Sequence, residues 1–210
     1  MTPRSAAPGP RGLSEDQIAG EPMTQFALWM ADALASGIPE PTAMVLSTIT
    51  EQGRPRARTV LLKAHDQAGF TFYSNRTSRK GRELAGNPAA CLVFPWYGVE
   101  RQVIAEGTVR ALSQAESEPY YSSRPRGSQI GAWASRQSTV IASRAVLEDR
   151  VAELERRWPE PGQVPMPDFW GGYVLEPDAV EFWQAGAFRL HDRLRYRRVD
   201  DSWAVDRLSP

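Results

Sequence analysis

The sequence is short of the residues that most directly announce chemistry: it holds one cysteine and two histidines in 210 residues. One cysteine excludes a disulfide framework. His65, His191 and Cys91 make no C-x-x-C or H-x-x-x-H spacing, so no metal centre is expected. Cys91 lies in the apolar run Ala89-Ala90-Cys91-Leu92-Val93-Phe94, which reads as a buried, inert thiol. No stretch approaches the ~18 apolar residues of a membrane span. Residues 1–11 carry Pro, Arg and Gly without the apolar centre of a signal peptide, and the expected location is cytoplasmic. Charge is balanced, 25 Lys and Arg against 25 Asp and Glu, so no overall field points to nucleic acid or a membrane surface. G-x-S-x-G, Walker A and G-x-G-x-x-G patterns are missing, which leaves hydrolase, P-loop and dinucleotide-fold readings without support.

What is present is a succession of short β-rich runs. Residues 1–20 are rich in Pro, Gly, Ala and charge with no hydrophobic period and are expected to form a mobile arm; residues 21–210 are expected to form a single domain. Phe26, Trp29, Met30, Ala33 and Leu34 fall at helical spacing before Gly37. Strand-like runs follow at 43–49, 57–63, 70–74, 90–96, 102–109, 173–175, 179–183, 194–199 and 203–205, separated by turn residues. Helical stretches are expected at 113–122 and 143–158, the second with Leu147, Val151, Leu154 and Trp158 as a stripe packed on the barrel. Many short strands without alternating helices predict a mainly β, α+β fold: an antiparallel barrel with flanking helices.

Four clusters of basic and hydroxyl residues carry what chemistry the sequence offers. In Tyr73-Ser74-Asn75-Arg76-Thr77-Ser78-Arg79-Lys80-Gly81-Arg82 a strand end runs into a helix that closes at Gly86-Asn87-Pro88, with Ser78 as N-cap. Free N–H groups, two hydroxyls and Arg79-Lys80 suit a phosphate dianion; on pattern alone they read first as a solvated basic first turn. Arg58 and Lys63 bracket an apolar strand. On a regular strand they point to opposite faces, so a shared ligand needs a bulge; otherwise they fringe an edge. Tyr120, Arg124 and Ser128 suit a second anionic group, or a helix-ending turn with surface arginines. Arg189, His191 and Arg193 alternate as on one strand face, which asks for an anion or a planar ring; alone, His191 reads as a structural histidine.

Taken together and in order, these blocks resemble the pyridoxamine/pyridoxine 5'-phosphate oxidase family over residues 41–210. The telling pieces are Arg58 to Lys63, Phe94-Pro95-Trp96 with Arg101-Gln102, Ser123-Arg124-Pro125-Arg126 through Trp133, Gln137-Ser138, Phe169-Trp170-Gly171-Gly172, and Arg189-Leu190-His191-Asp192-Arg193. The resemblance implies a dimeric split β-barrel with FMN in a cleft between the subunits. It implies FMN contacts from Arg58, Tyr73, Ser74, Arg79, Lys80, Gln102, Gln137, Ser138, Trp183 and Arg193. It gives the substrate phosphate to Lys63, Tyr120, Arg124 and Ser128, and sets Arg189 and His191 against the pyridine ring as the catalytic pair. Arg58 and Lys63 then serve different anions. The implied reaction is FMN-dependent oxidation of pyridoxamine or pyridoxine 5'-phosphate to pyridoxal 5'-phosphate. In it, hydride passes from C4' to flavin N5, and O2 then accepts the electrons and leaves as hydrogen peroxide.

The sequence also departs from that family. The usual N-terminal Arg and Tyr that close over substrate have no good match, since no Tyr precedes Tyr73, and Ala187-Phe188 makes the pocket rim more apolar. Two alternatives therefore stand beside the oxidase: a related flavin oxidase of phenazine-type metabolism, and a flavin- or pyridoxal-phosphate-binding protein without turnover.

Overall fold

A computed structural model describes residues 12–210; the first part of the expected arm, 1–11, lies outside the described residues. The described part of the arm is docked. Leu13 is buried, its N–H donates to Asp192, and Ala19 accepts a hydrogen bond from the Tyr196 hydroxyl.

Helix α1 (Pro22–Ala35) starts with proline in its first turn, where the missing N–H costs nothing. It buries Phe26, Trp29, Met30 and Ala33. Leu34 leaves the expected stripe and is 59% exposed, because at about 100° per residue it stands on the flank of that face. Phe26 meets Phe70 edge-on at 4.8 Å and Phe94 at 4.9 Å, so α1 plugs the open side of the sheet with the centre of the core.

The sheet is antiparallel throughout. Its strands are β1 (Ala43–Ile49), β2 (Pro55–Leu61), β3 (Ala64–Asp66), β4 (Gly69–Asn75), β5 (Ala89–Trp96), β6 (Arg101–Ala111), β7 (Trp170–Gln184), β8 (Asp192–Val199) and β9 (Ser202–Arg207). The spatial order is β2-β1-β5-β6-β7-β4-β3, with β8 on β7 and β9 on β8. It curls into the antiparallel barrel that the strand spacing predicts, split as the resemblance implies.

Strand β7 corrects the two short runs expected at 173–175 and 179–183. The intervening Glu176-Pro177-Asp178 looks like a turn in sequence but is a bulge: Glu106 pairs with Ala179 and Gly107 with Pro177, leaving Asp178 unmatched. There β7 transfers its other edge from β4, which it pairs up to Leu175, to β8, which it pairs from Ala179. Pro177, with no N–H to donate, falls in that gap.

Helix α2 (Arg79–Gly86) follows β4, and α3 (Gln114–Ser123) opens with a Ser113/Glu116 capping box. Helix α4 (Arg126–Ala134) follows Pro125, where the alternative reading of the Tyr120–Ser128 cluster placed only a helix-ending turn. Helix α5 (Ala145–Arg157) packs on α4 rather than on the sheet. Its stripe Leu147, Val151, Leu154 and Trp158 is half-buried instead of core, with Trp158 against Trp133 at 5.1 Å. Among the described residues no helix is long and apolar enough to cross a membrane. Burial pushes the Cys91 thiol up to about 11, as befits an inert cysteine.

Candidate active site

A cleft of about 340 Å³ runs between β2, β4 and the α3–α4 corner. Helix α2 contributes Lys80 to its lining. Ser78 caps the helix, its hydroxyl accepting from Gly81 N–H at 3.2 Å. The Arg79 N–H donates to Ser138 Oγ at 3.2 Å. Lys80 Nζ donates to Ser74 Oγ at 2.8 Å and to Gln137 Oε1 at 2.7 Å. Five of the expected cofactor residues, from three separate stretches, thus converge. Burial and then the neighbouring Arg58 hold the Lys80 ammonium below the ordinary lysine range, against the pull of Glu83. Cations crowded at the expense of each other's charge are what a bound phosphate relieves, so these residues fit the phosphate end of a flavin nucleotide.

Gly81 lets this helix start sit so low. A Cβ at that position stands 2.2 Å from the Arg76 carbonyl oxygen. Gly81→Ala gains about 1 kcal/mol of helix propensity, but a clash with backbone falls at the upper end of the roughly 1–3 kcal/mol that overpacking costs, for a net cost of about 2 kcal/mol. The expected result is a Tm lowered by roughly 3–10 °C in calorimetry; an unshifted Tm contradicts the packing.

Arg58 reaches the cleft from β2 already braced. It donates to Thr48 Oγ1 at 2.6 Å and Leu46 O at 3.2 Å and pairs with Glu83 at 2.9 Å. Burial favours a neutral Glu83, but Thr48 and Arg58 outweigh it and hold the carboxyl below the usual range. The conflict over Arg58 and Lys63 resolves at the strand end. Strand β2 stops at Leu61; the Leu62 N–H turns to Thr42 O, and the Lys63 N–H to Thr71 O. The chain crosses from β1 to β4 there, and both cations line one cleft.

At the far end, Tyr73 stacks on Tyr120 at 4.1 Å and on Trp170 at 5.3 Å. The Arg124 guanidinium lies over Trp170 at 4.8 Å. Burial holds Arg124 below the ordinary arginine range. Its Nη1 is buried with no hydrogen-bond partner among the described residues. An orphaned guanidinium nitrogen is costly unless a ligand takes it up. Ser128 and Arg124 line an adjoining cavity of about 250 Å³, which shares Gln137 and Trp170 with the main cleft.

The remaining expected residues gather elsewhere. Gln102, Trp183 and Arg193 form one row across β6, β7 and β8, and none of them lines the cleft. Tyr73 and Ser74 pair with the start of β7, at Gly172 and Gly171, whereas Trp183 lies near its end. At ~3.3 Å per residue the two groups are roughly 35–40 Å apart along that strand. Arg193 is held bidentately by Glu181, at 2.8 and 3.0 Å.

The expected alternation of Arg189, His191 and Arg193 on one strand face is corrected. Strand β8 begins only at Asp192, and Ala187–Arg189 is a short helical turn. Phe188 and Arg189 there take left-handed φ values of 55° and 65°, a strained pair that projects Arg189 and a 95% exposed Phe188. The His191 Nδ1 accepts from the Gly186 N–H at 3.1 Å. A neutral imidazole so held carries its proton on Nε2 and keeps that N–H free to donate. Trp170, Glu83 and Thr48 were not among the expected site residues, because their contribution is to hold other side chains.

Fold and cleft define a split-barrel protein with a cationic, hydroxyl-lined ligand site. Residues 30–157 match the family model described as pyridoxamine 5'-phosphate oxidase. Residues 170–210 match that of the pyridoxine 5'-phosphate oxidase C-terminal dimerisation region. A pyridoxine/pyridoxamine 5'-phosphate oxidase of Frankia alni is 58% identical over 94% of this chain and 84% of its own. One from Salinispora arenicola is 52% identical over 95% and 90%. The crystal structure of PhzG from Burkholderia lata, in complex with tetrahydrophenazine-1-carboxylic acid, superposes with a TM-score of 0.89 at 33% identity, over 95% of this chain and 98% of that one. The chain belongs to the pyridoxamine 5'-phosphate oxidase family.

Proposed function

We propose that the protein is a homodimeric, FMN-dependent oxidase that converts pyridoxine and pyridoxamine 5'-phosphate to pyridoxal 5'-phosphate. O2 is the acceptor and hydrogen peroxide the second product; with the amine, the imine formed hydrolyses to the aldehyde and ammonia. The observation that carries this reading is the orphaned Arg124 Nη1 at the end of a cationic cleft. Small polar substrates suit the cytoplasmic location expected from the sequence.

In this reading Arg58, Tyr73, Ser74, Arg79, Lys80, Gln137 and Ser138 hold FMN, which when bound supplies the two-electron acceptor. Lys63, Tyr120, Arg124 and Ser128 clamp the substrate phosphate and so fix the pyridine ring by one end. Gln102, Trp183 and Arg193 complete the flavin site from the second copy of the chain, because their distance along β7 prevents them from doing so from the same one. Arg189 and His191 come with them. Arg189 orients the reacting group, and His191 donates Nε2–H to the substituent at C4'.

The likeness to PhzG favours one second reading, a phenazine-type oxidase. Two cations in the far clamp argue for a phosphate dianion over a single carboxylate. The test is peroxide release by FMN-loaded protein. Release with pyridoxine 5'-phosphate and none with a dihydrophenazine carboxylate is expected; the opposite pattern transfers the function to the phenazine class.

A further inference from the structure

The strained turn that carries Arg189 has few bonds of its own. Among the described residues, 187–190 are exposed, and the turn is closed by Leu190 N–H to Ala187 O at 3.0 Å and by the Gly186–His191 bond. Left-handed non-glycine residues persist only where their surroundings hold them. The residue that joins this turn to the sheet is Asp192, next to His191.

Asp192 is held by the N-terminal segment. Its Oδ2 accepts from the Leu13 N–H at 3.1 Å, and its Oδ1 accepts from Arg207 Nη1 at 2.7 Å. Arg207 closes the circuit: Nε and Nη2 donate to the two Glu15 carboxylate oxygens at 2.8 Å each, and Nη2 also donates to Leu13 O at 2.9 Å. The Arg207 hydrogen bond pulls the Glu15 carboxyl down to about 2, so the pair is ionised at every working pH. Gly12 lies so close that a Cβ there stands 2.9 Å from Asp192 Oδ2. Exposed ion pairs contribute little stability. A closed ring that joins both ends of the chain at the root of one turn therefore acts through geometry.

We propose that Glu15 is a positioning residue: through Arg207 and Asp192 it fixes the turn that presents Arg189 and His191 to the substrate. The proposal rests on the reading of those two residues given above. It gives the N-terminal segment a role in holding the reacting-end groups, separate from the phosphate clamp.

The experiment is a double-mutant cycle on the full-length, FMN-loaded protein with pyridoxine 5'-phosphate. Glu15→Gln keeps the shape and removes the charge that binds Arg207. It is expected to lower kcat about 5- to 10-fold with KM changed less than about 2-fold, the clamp being intact. Arg207→Lys, which cannot bridge bidentately, behaves in the same way. Flavin content and Tm stay at wild-type values in both. In an Arg189→Ala/His191→Ala background, Glu15→Gln costs less than about 2-fold, because both groups it positions are gone. A wild-type kcat in Glu15→Gln, or an equal loss in both backgrounds, overturns the proposal. A wild-type kcat in His191→Ala alone overturns the reading beneath it, and the proposal with it.

Discussion

Arg124→Ala is expected to raise KM for pyridoxine 5'-phosphate by roughly 15- to 150-fold and to leave FMN bound. The size follows from the bond lost: a hydrogen bond between charged partners is worth about 1.5–3 kcal/mol, and each ~1.4 kcal/mol is tenfold. The guanidinium is preset for it. It lies 4.8 Å over Trp170, with one buried nitrogen unpaired, so the ligand meets a donor that has already lost its water. The end proposed for the flavin should be unaffected, since Lys80, Ser74 and Gln137 hold one another without Arg124. Steady-state kinetics with a flavin absorbance spectrum checks both halves. An unchanged KM removes Arg124 from the phosphate clamp; loss of the flavin spectrum shows that the two ends are not independent.

The second large effect is complementation between damaged subunits. Arg124→Ala homodimers and Arg189→Ala/His191→Ala homodimers are each expected to lose most of their activity at subsaturating substrate. A mixed dimer, purified on two different tags, is expected to regain about half the wild-type value. One of its sites collects both lesions and the other none, as a twofold interface requires. The basis is the position of the two clusters: Tyr73 and Ser74 pair with the start of β7 and Trp183 lies near its end. If every site residue came from one chain, each site of the mixed dimer would keep one lesion. Activity would then stay at the mean of the damaged homodimers.

Legibility in the sequence followed the range of the physics involved. Alternation and turn residues are local, so strands β1, β2, β4, β5 and β6 and the Ser78 cap stand near their expected places. Strand β3 is three residues long, too short for any period. Glu176-Pro177-Asp178 carries the marks of a turn, and only the pairing of β7 with β6 on one edge and with β4 and β8 on the other turns it into a bulge. Helix α4 was hidden because Arg126-Gly127-Ser128 has loop composition and its cap, Pro125, offers no side-chain hydrogen bond. In the site, the cations and hydroxyls were legible by type. Their supports were not: Glu83 braces Arg58 across 25 positions, and Trp170 meets Arg124 only once β7 and α3 are in place. Alternating Arg189, His191 and Arg193 suggested a strand, but two left-handed residues break that run before β8 begins.

The most direct test of the whole account is to mix FMN-loaded protein anaerobically with pyridoxine 5'-phosphate, and separately with pyridoxamine 5'-phosphate, while following the long-wavelength flavin band. The predicted result is bleaching with both, reversed when air is admitted, with pyridoxal 5'-phosphate in the product. A flavin that binds and stays oxidised with both compounds contradicts the proposed oxidation.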